Sequence, residues 1–352
     1  MSFWQSLAKP IIGLSPMDGV TDHPMRHITK KYGNPAVVYT EFTSVEGVCH
    51  GAKQLMKDFA FDETQRPVIG QIYGTTPESF RQCALILCQL GFDGVDINMG
   101  CPAKNVAHLG AGAALIRTPD LAQEIIRQTK AGIADWVNGK TVRDCPDITE
   151  EIAVEVESRH ALLPVEYQTP RALPVSVKTR VGFDHPVIEE WIPTLLEMEL
   201  DAIALHGRTL KQQYGGEANW ELIGQAAEIV HKTKTLLLGN GDVKTVEQGL
   251  ERIKECNLDG VLIGRATFGN PFIFLGEEPG PEVLFPIAIE HAKFFEEFEK
   301  DNPRYNFLPM RKHLGWYIHD IPNAKLLRQA VYRTNSSEEF AEVLKNNGYE
   351  NI

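Results

Sequence analysis

Short, almost wholly apolar runs recur along the chain, each followed by a glycine or polar loop and then by residues with helical spacing. The runs cover 11–14, 37–41, 68–72, 94–98, 175–179, 202–206, 235–239 and 260–263. Apolar throughout rather than alternating, they have the pattern of parallel strands buried on both faces. Between them the spacing predicts helices, as over 77–90 and 119–133, with Thr76 and Thr118 as N-caps ahead of a proline at the first helical position. Eight such units in about 265 residues predict a (β/α)8 TIM barrel, an α/β fold. A doubly wound open sheet is the alternative, but no Gly-x-Gly-x-x-Gly follows the first strand.

Two stretches break the rhythm. Residues 136–173 exceed a normal helix-to-strand connection, carry Pro146, Pro164 and Pro170, and include an acidic segment over 147–157. As an αβ connection they are expected on the amino-terminal face of the barrel, as an accessory insertion away from the chemistry. Beyond Phe274 the composition of 276–281 marks a linker. From 282 onward Ile287, Phe294, Phe295 and Phe298 recur at helical spacing, with no strand signal. The expected organisation is a barrel over 1–276 and a helical domain over 282–352.

Charge changes the picture of that second part. The chain has a formal net charge of −12, which counts against indiscriminate nucleic-acid binding. Within 303–334, however, Arg304, Arg311, Lys312, Lys325, Arg328 and Arg333 face only Asp320, and Tyr305, Trp316, Tyr317 and Tyr332 interleave with them. A solvated helix face is the commoner meaning of such charges. Cations for phosphates mixed with rings for exposed bases also suit an RNA-binding surface. The start has no basic segment followed by an apolar stretch, and no apolar run reaches the length of a membrane span, so a cytoplasmic protein is expected. Six scattered cysteines without a Cys-x-x-Cys pair argue against a metal cluster and against a disulfide framework. Cys83 and Cys88 fall in a helical pattern and read as core.

A barrel demands that functional residues sit at the carboxyl ends of its strands. Those ends read Pro16-Met17, Glu41, Gln71, Asn98 with Cys101, Lys178 with Arg180, His206, Asn240 with Asp242, and Gly264-Arg265. Cys101 lies between Gly100 and Pro102, a constrained strand end; alone, such a thiol is more often a small buried hydrophobe. Asn240-Gly241-Asp242 and Gly264-Arg265 close strands seven and eight, where barrels commonly hold a phosphate. Lys178 among apolar strands needs an anion or an electron-rich group. A flavin ring answers that need, because reduction places negative charge near its N1 and C2 carbonyl. His206 is a donor to the ring or to substrate, and the amides of Gln71 and Asn98 suit a ring edge. One phosphate site without the dinucleotide fingerprint favours FMN.

At this point the residues resemble a known family, the tRNA-dihydrouridine synthases, over nearly the whole chain. Ser15-Pro16-Met17-Asp18-Gly19-Val20-Thr21-Asp22 is similar to its N-terminal flavin-binding motif. Asn98-Met99-Gly100-Cys101-Pro102, with Val106 and Gly112-Ala113, is similar to its signature around the active cysteine. Val177-Lys178-Thr179-Arg180-Val181-Gly182, Leu205-His206-Gly207-Arg208-Thr209, Gly239-Asn240-Gly241-Asp242 and Ile263-Gly264-Arg265-Ala266 follow in order. Arg311-Lys312-His313-Leu314 resembles the tRNA-contacting helical domain, while the 136–173 insertion departs from the family. The resemblance implies reduction of the C5–C6 bond of a tRNA uridine, with hydride from reduced FMN to C6, a proton from Cys101 to C5, and NADPH as reductant. It implies that Ser15, Pro16, Met17, Gln71, Lys178, His206, Asn240, Gly241, Asp242, Gly264 and Arg265 hold the cofactor. Asn98, Arg180, Arg208, Arg311 and Lys312 become the candidates for substrate contacts, in a monomer that needs no metal. Rival expectations are an FMN barrel acting on a small molecule, similar to dihydroorotate dehydrogenase, dihydrouridine formation in ribosomal RNA, and a non-catalytic RNA-binding protein on a barrel frame.

Overall fold

The computed structural model describes residues 2–349. Eight parallel strands, β1 (Ile11–Leu14), β2 (Val38–Ser44), β3 (Val68–Tyr73), β4 (Gly94–Met99), β5 (Val175–Gly182), β6 (Ala202–Thr209), β7 (Leu236–Asn240) and β8 (Gly260–Ile263), form one sheet. Its hydrogen-bonded order is β1-β8-β7-β6-β5-β4-β3-β2, each strand beside its sequence neighbour. The remaining gap closes through two backbone bonds, Leu14 N to Val37 O (3.0 Å) and Ala36 N to Ile12 O (2.9 Å). The sheet is thus a closed barrel, as the repeated pattern predicts.

Around it run α1 (His23–Gly33), α2 (Val45–Cys49), α3 (Pro77–Gln89), α4 (Lys104–His108), α5 (Pro119–Val137), α6 (Glu150–Leu162), α7 (Val165–Gln168), α8 (Ile188–Leu196), α9 (Trp220–Val230) and α10 (Val246–Glu255). Strand residues alternate between two sides. Val38, Val68, Val95, Ile97, Val177 and Ile203 pack outward against these helices in the largest apolar cluster, which includes Cys83 and Cys88. Val37, Tyr39, Ile69, Ala202, Ala204, Leu238 and Leu262 meet in a second cluster inside the barrel, with Trp4 at its amino-terminal end. Gly13 leaves room for that interior: a Cβ there would stand 2.6 Å from Val37 Cγ1.

The two threonine caps are not made. Thr76 and Thr118 occupy the N-cap positions of α3 and α5, but neither side chain accepts a bond from its helix. The start of α3 is served instead by Glu46, whose Oε1 accepts from Thr75 N (2.6 Å) and Thr76 N (2.9 Å). A carboxylate from α2 complements the positive helix end better than a hydroxyl does.

The 136–173 stretch also differs from expectation. Its α6 does not stay at the amino-terminal face but runs along the outside of α3. His160 bonds Gln89 O near the lower end, while Asp147 bonds Gln82 and Glu151 pairs with Lys53 higher up. A helix of this length spans about 20 Å, enough to accompany α3 from one end to the other.

Four more helices, α11 (Pro281–Glu299), α12 (Leu308–Trp316), α13 (Ala324–Val331) and α14 (Ser337–Lys345), share an apolar cluster centred on Phe285, Phe295, Leu314 and Phe340. Ile28 of α1 belongs to that cluster as well, so these helices are seated on the barrel. His27 stacks on Phe294 (4.2 Å) and Trp316 on Phe268 (4.0 Å), and Glu290 bonds both Lys31 and Tyr32. Among the described residues no helix is long and apolar enough to cross a membrane. Nor does any group of three or more His, Cys, Asp or Glu among them form a set that could hold a metal ion.

Candidate active site

A cleft of about 1200 Å3 opens at the carboxyl ends of the strands. Ser15, Pro16, Met17, Asn98, Cys101, Lys178, Arg180, His206, Arg208, Asn240, Gly241, Asp242, Gly264 and Arg265 all line it. Strand pairing accounts for this gathering: Asn98 lies opposite Lys178, Arg180 opposite His206, and His206 opposite Asn240. Inward positions near the amino-terminal end are apolar, and those near the carboxyl end are polar. A period of two along parallel strands turns that sequence difference into a polar-floored cleft above an apolar plug.

Lys178 is the only residue of β5 that is not fully buried. Its ammonium has no hydrogen bond or ion pair among the described residues, and burial first, Arg180 second, pulls its pKa down to about 8. An uncompensated cation at such depth is costly unless an anion or electron-rich group meets it. His206 is held far below its ordinary pKa by burial and then by Lys178, Arg180, Arg208 and Arg265, so it is neutral at physiological pH. Its tautomer follows from its neighbour: Arg208 Nη1 can only donate, and lies 3.3 Å from His206 Nε2. The imidazole proton therefore sits on Nδ1, which leaves a donor at that atom. Glycine at 241 is required twice over, since its φ is +124° and a Cβ would approach Ala218 Cβ to 2.6 Å and His206 Cδ2 to 3.0 Å.

The Cys101 thiol is pushed above its ordinary pKa, chiefly by burial, with the bond to Ala103 N working the other way and Asp18 adding to the rise. It is therefore a thiol, not a thiolate, at neutral pH. Its backbone N–H donates to Asn98 Oδ1 (2.9 Å), as does Gly100 N (3.1 Å), and its carbonyl accepts from Ala113 N (3.2 Å). The strand end is thus clamped on both sides.

Several of the expected site residues are already engaged within the chain. Gln71 is fully buried beneath the cleft and does not reach it: Nε2 donates to Asp96 Oδ2 (2.7 Å) and Oε1 accepts from Asn98 Nδ2 (3.0 Å). Asn98 has its oxygen and one amide proton committed, leaving a single N–H for a ligand. Arg180 donates to the carbonyls of Gly100, Thr209 and Gln213. Arg208 holds the carbonyls of Gly215 and Gly216 and makes a two-pronged pair with Asp242. Asp242 also binds Arg265 (2.9 Å), so its carboxylate orients two cations at the cleft. Arg311 is spent on Thr334 O and Asn335, and Lys312 Nζ bonds the carbonyl of Gly19.

Three features escaped the sequence reading. The loop after β6, with Gln213, Tyr214, Gly216 and Glu217 on the cleft, is drawn over the opening by Arg180 and Arg208. Arg265 lies over the Tyr214 ring at 5.5 Å. Asp96, wholly buried with its pKa raised to about 6 by burial, holds both Gln71 and Ser176. A charged residue in the middle of an apolar strand was the available signal.

Comparison with known proteins agrees with this geometry. The model of the family described as "Dihydrouridine synthase (Dus)" matches residues 13–153 and 164–351. Of the 136–173 stretch expected to depart from the family, only 154–163, within α6, falls outside that match. A Staphylococcus epidermidis protein named probable tRNA-dihydrouridine synthase is 33% identical over 97% of this chain and 95% of its own. A Bacillus subtilis protein named probable tRNA-dihydrouridine synthase 2 is 32% identical over the same shares. Among solved structures, an old yellow enzyme homologue from Zymomonas mobilis overlays at a TM-score of 0.44 and 12% identity, over 90% of this chain and 94% of that one, too distant to carry an argument. With its match covering nearly the full length and its cysteine and lysine at the barrel mouth, the chain belongs to the dihydrouridine synthase family.

Proposed function

We propose that this protein reduces the C5–C6 double bond of a uridine in tRNA, with FMN as cofactor and NADPH as reductant. The observation that carries the reading is one cleft shared by a protonated thiol, Cys101, and an unpartnered ammonium, Lys178. The residues present fit a flavin mononucleotide. Lys178 supplies the cation that a reduced isoalloxazine needs, and neutral His206 supplies an N–H. Gly241 and Gly264 leave space that a Cβ would fill, and Arg265 keeps part of its guanidinium free of Asp242. Ser15, Pro16 and Met17 border the same space, with Met17 Sδ 3.4 Å from where a Gly264 Cβ would stand.

Once bound, the flavin supplies the hydride that C6 receives and is recharged by NADPH. Cys101 gives its Sγ proton to C5 from the other face of the ring, and the thiolate regains a proton from water through the open mouth. A raised thiol pKa suits this work, since the acid form is present at neutral pH. Asn98 offers its remaining N–H to a base carbonyl. The uridine must leave its stack to enter a barrel mouth, so base extrusion is part of the reading. Exposed Arg304, Lys325 and Arg333, with Tyr305 and Tyr332 each more than a third exposed, favour a large RNA over a free pyrimidine.

The test is Cys101→Ala in the flavin-loaded protein. Its flavin is expected to be reduced by NADPH at the wild-type rate, while uridine reduction falls by about 10²–10⁴-fold. Wild-type turnover by this variant would remove the thiol from the reaction.

A further inference from the structure

A line of side chains runs from the centre of the barrel to the thiol loop. Asp96 lies opposite Gln71 on β3 and opposite Ser176 on β5, all three pointing into the barrel. Ser176 Oγ donates to Asp96 Oδ1 (2.6 Å), and Gln71 Nε2 donates to Asp96 Oδ2 (2.7 Å). Asn98 Nδ2 donates to Gln71 Oε1 (3.0 Å), and Asn98 Oδ1 accepts from Gly100 N and Cys101 N. Amide side chains can be reversed end for end, yet this line admits only one direction. The two backbone N–H groups can only donate, so Asn98 must turn its oxygen to them and its nitrogen to Gln71. Gln71 must then turn its own nitrogen to Asp96, where an ionised carboxylate accepts on both oxygens.

We propose that Asp96 is a positioning residue, which anchors the Asn98 amide through Gln71 and thereby helps to hold Cys101 in place. The inference rests on the reading of Cys101 as proton donor and adds what keeps it on target. It also assigns a polarity to the site: the one group that Asn98 has left is a donor, suited to a base carbonyl and unsuited to an exocyclic amine. Without an acceptor at position 96, Gln71 loses its anchor and can reverse, Asn98 is then held only by the Gly100 and Cys101 N–H groups, and the Cys101 strand end is less firmly fixed. A displacement of about 1 Å in a reacting group is enough to lower a rate by about 10²-fold.

The variants separate direction from charge. Asp96→Asn keeps an oxygen for Gln71 and can turn its NH2 to Ser176 Oγ, which accepts as readily as it donates, so the line keeps its sense. Asp96→Leu removes the acceptor, and Gln71→Leu interrupts the same line with Asp96 intact, covering the case in which the first does not fold. One readout needs no cofactor or substrate: the pH profile of Cys101 alkylation by iodoacetamide, followed on the Cys101 peptide by mass spectrometry. Asp96→Leu and Gln71→Leu are expected to alkylate about tenfold faster at pH 7, as a loosened thiol returns toward its ordinary pKa, with Asp96→Asn within about twofold of wild type. In the loaded enzyme, the two leucine variants are expected to lose about 10²-fold in kcat at unchanged KM for tRNA, and Asp96→Asn to stay within about threefold. Folded leucine variants with the wild-type alkylation profile, or an Asp96→Asn protein as perturbed as Asp96→Leu, would overturn the proposal. Should wild type itself leave uridine intact, the reading of the reaction fails while the alkylation arm still decides the role of Asp96.

Discussion

Glu41 ends the straight part of β2 with its carboxyl pushed up to about 8, first by burial and then by Asp22 and Asp58, with Arg26 pulling the other way. Arg26 does not neutralise the group by contact: it is wholly buried and bonds Gln65 and the carbonyls of Thr21 and Ala60. A carboxyl whose pKa is raised on folding binds its proton more tightly in the folded chain. It therefore opposes folding progressively as pH climbs from its ordinary value of 4.5 toward about 8, and fully above that. Glu41→Gln is accordingly expected to raise Tm, little at pH 5 and most above pH 8, by about 1–2 kcal/mol of stability at the plateau. Scanning calorimetry across that range checks it; a gain independent of pH would show that the charge is not the cause. At this scale the sequence was informative where chemistry is intrinsic to the residue. Cys101, Lys178 and His206 stood out as a set, since a lone thiol is more often a small buried hydrophobe but a thiol, an ammonium and an imidazole at neighbouring strand ends are not. It said less where a side chain is defined by its partner: Gln71, Arg180, Arg208, Arg311 and Lys312 are all bound to groups of the same chain. Those partners lie 22 or more residues away for Gln71, Arg311 and Lys312.

Elements were more legible than residues, because apolar runs mark strands whatever their neighbours. All eight expected strands start within one residue of the observed ones, and β1 and β8 coincide over their full length. The ends differ more. β5 and β6 run three residues past the expected boundaries, to Gly182 and Thr209. That extension carries Arg180 and Arg208 above the cleft floor, where they draw the β6 loop inward. Polar residues commonly end a buried strand, whereas here they continue it into the mouth. Helix packing supplies the matching prediction. Gly132 of α5 sits where that helix crosses α3, and a Cβ there would overlap the Arg81 carbonyl. Gly132→Ala, which would favour an isolated helix, is expected to destabilise the protein by about 1–3 kcal/mol, since backbone cannot yield as a side chain can. Denaturant midpoints measure it, and a neutral or stabilising effect would mean that α3 and α5 are less closely apposed than described.

For the molecule as a whole, an acidic chain presents a basic mouth. Seven cationic residues border the cleft against three carboxylates, although the net charge is −12. Surface acids elsewhere discourage indiscriminate RNA binding, while the local field draws phosphates to the site. The seating of α11–α14 on α1 was not legible, because amphipathic spacing identifies an apolar face without naming its partner. That seating uses Trp316, Tyr317 and Lys312 internally and leaves Arg304, Lys325 and Arg333 exposed. Reversing these three to Glu is expected to weaken tRNA binding and flatten its salt dependence by about one unit of slope per lost contact, with flavin binding unchanged. A salt slope equal to wild type would place the RNA elsewhere.

Uridine reduction by this protein is measured by incubating its FMN-loaded form with unmodified tRNA and NADPH and analysing nuclease digests by mass spectrometry. A fragment heavier by two hydrogens at a discrete uridine is expected, formed by wild type and not by Cys101→Ala. A protein that holds flavin and oxidises NADPH yet leaves every uridine in the tRNA unreduced would contradict the proposed function.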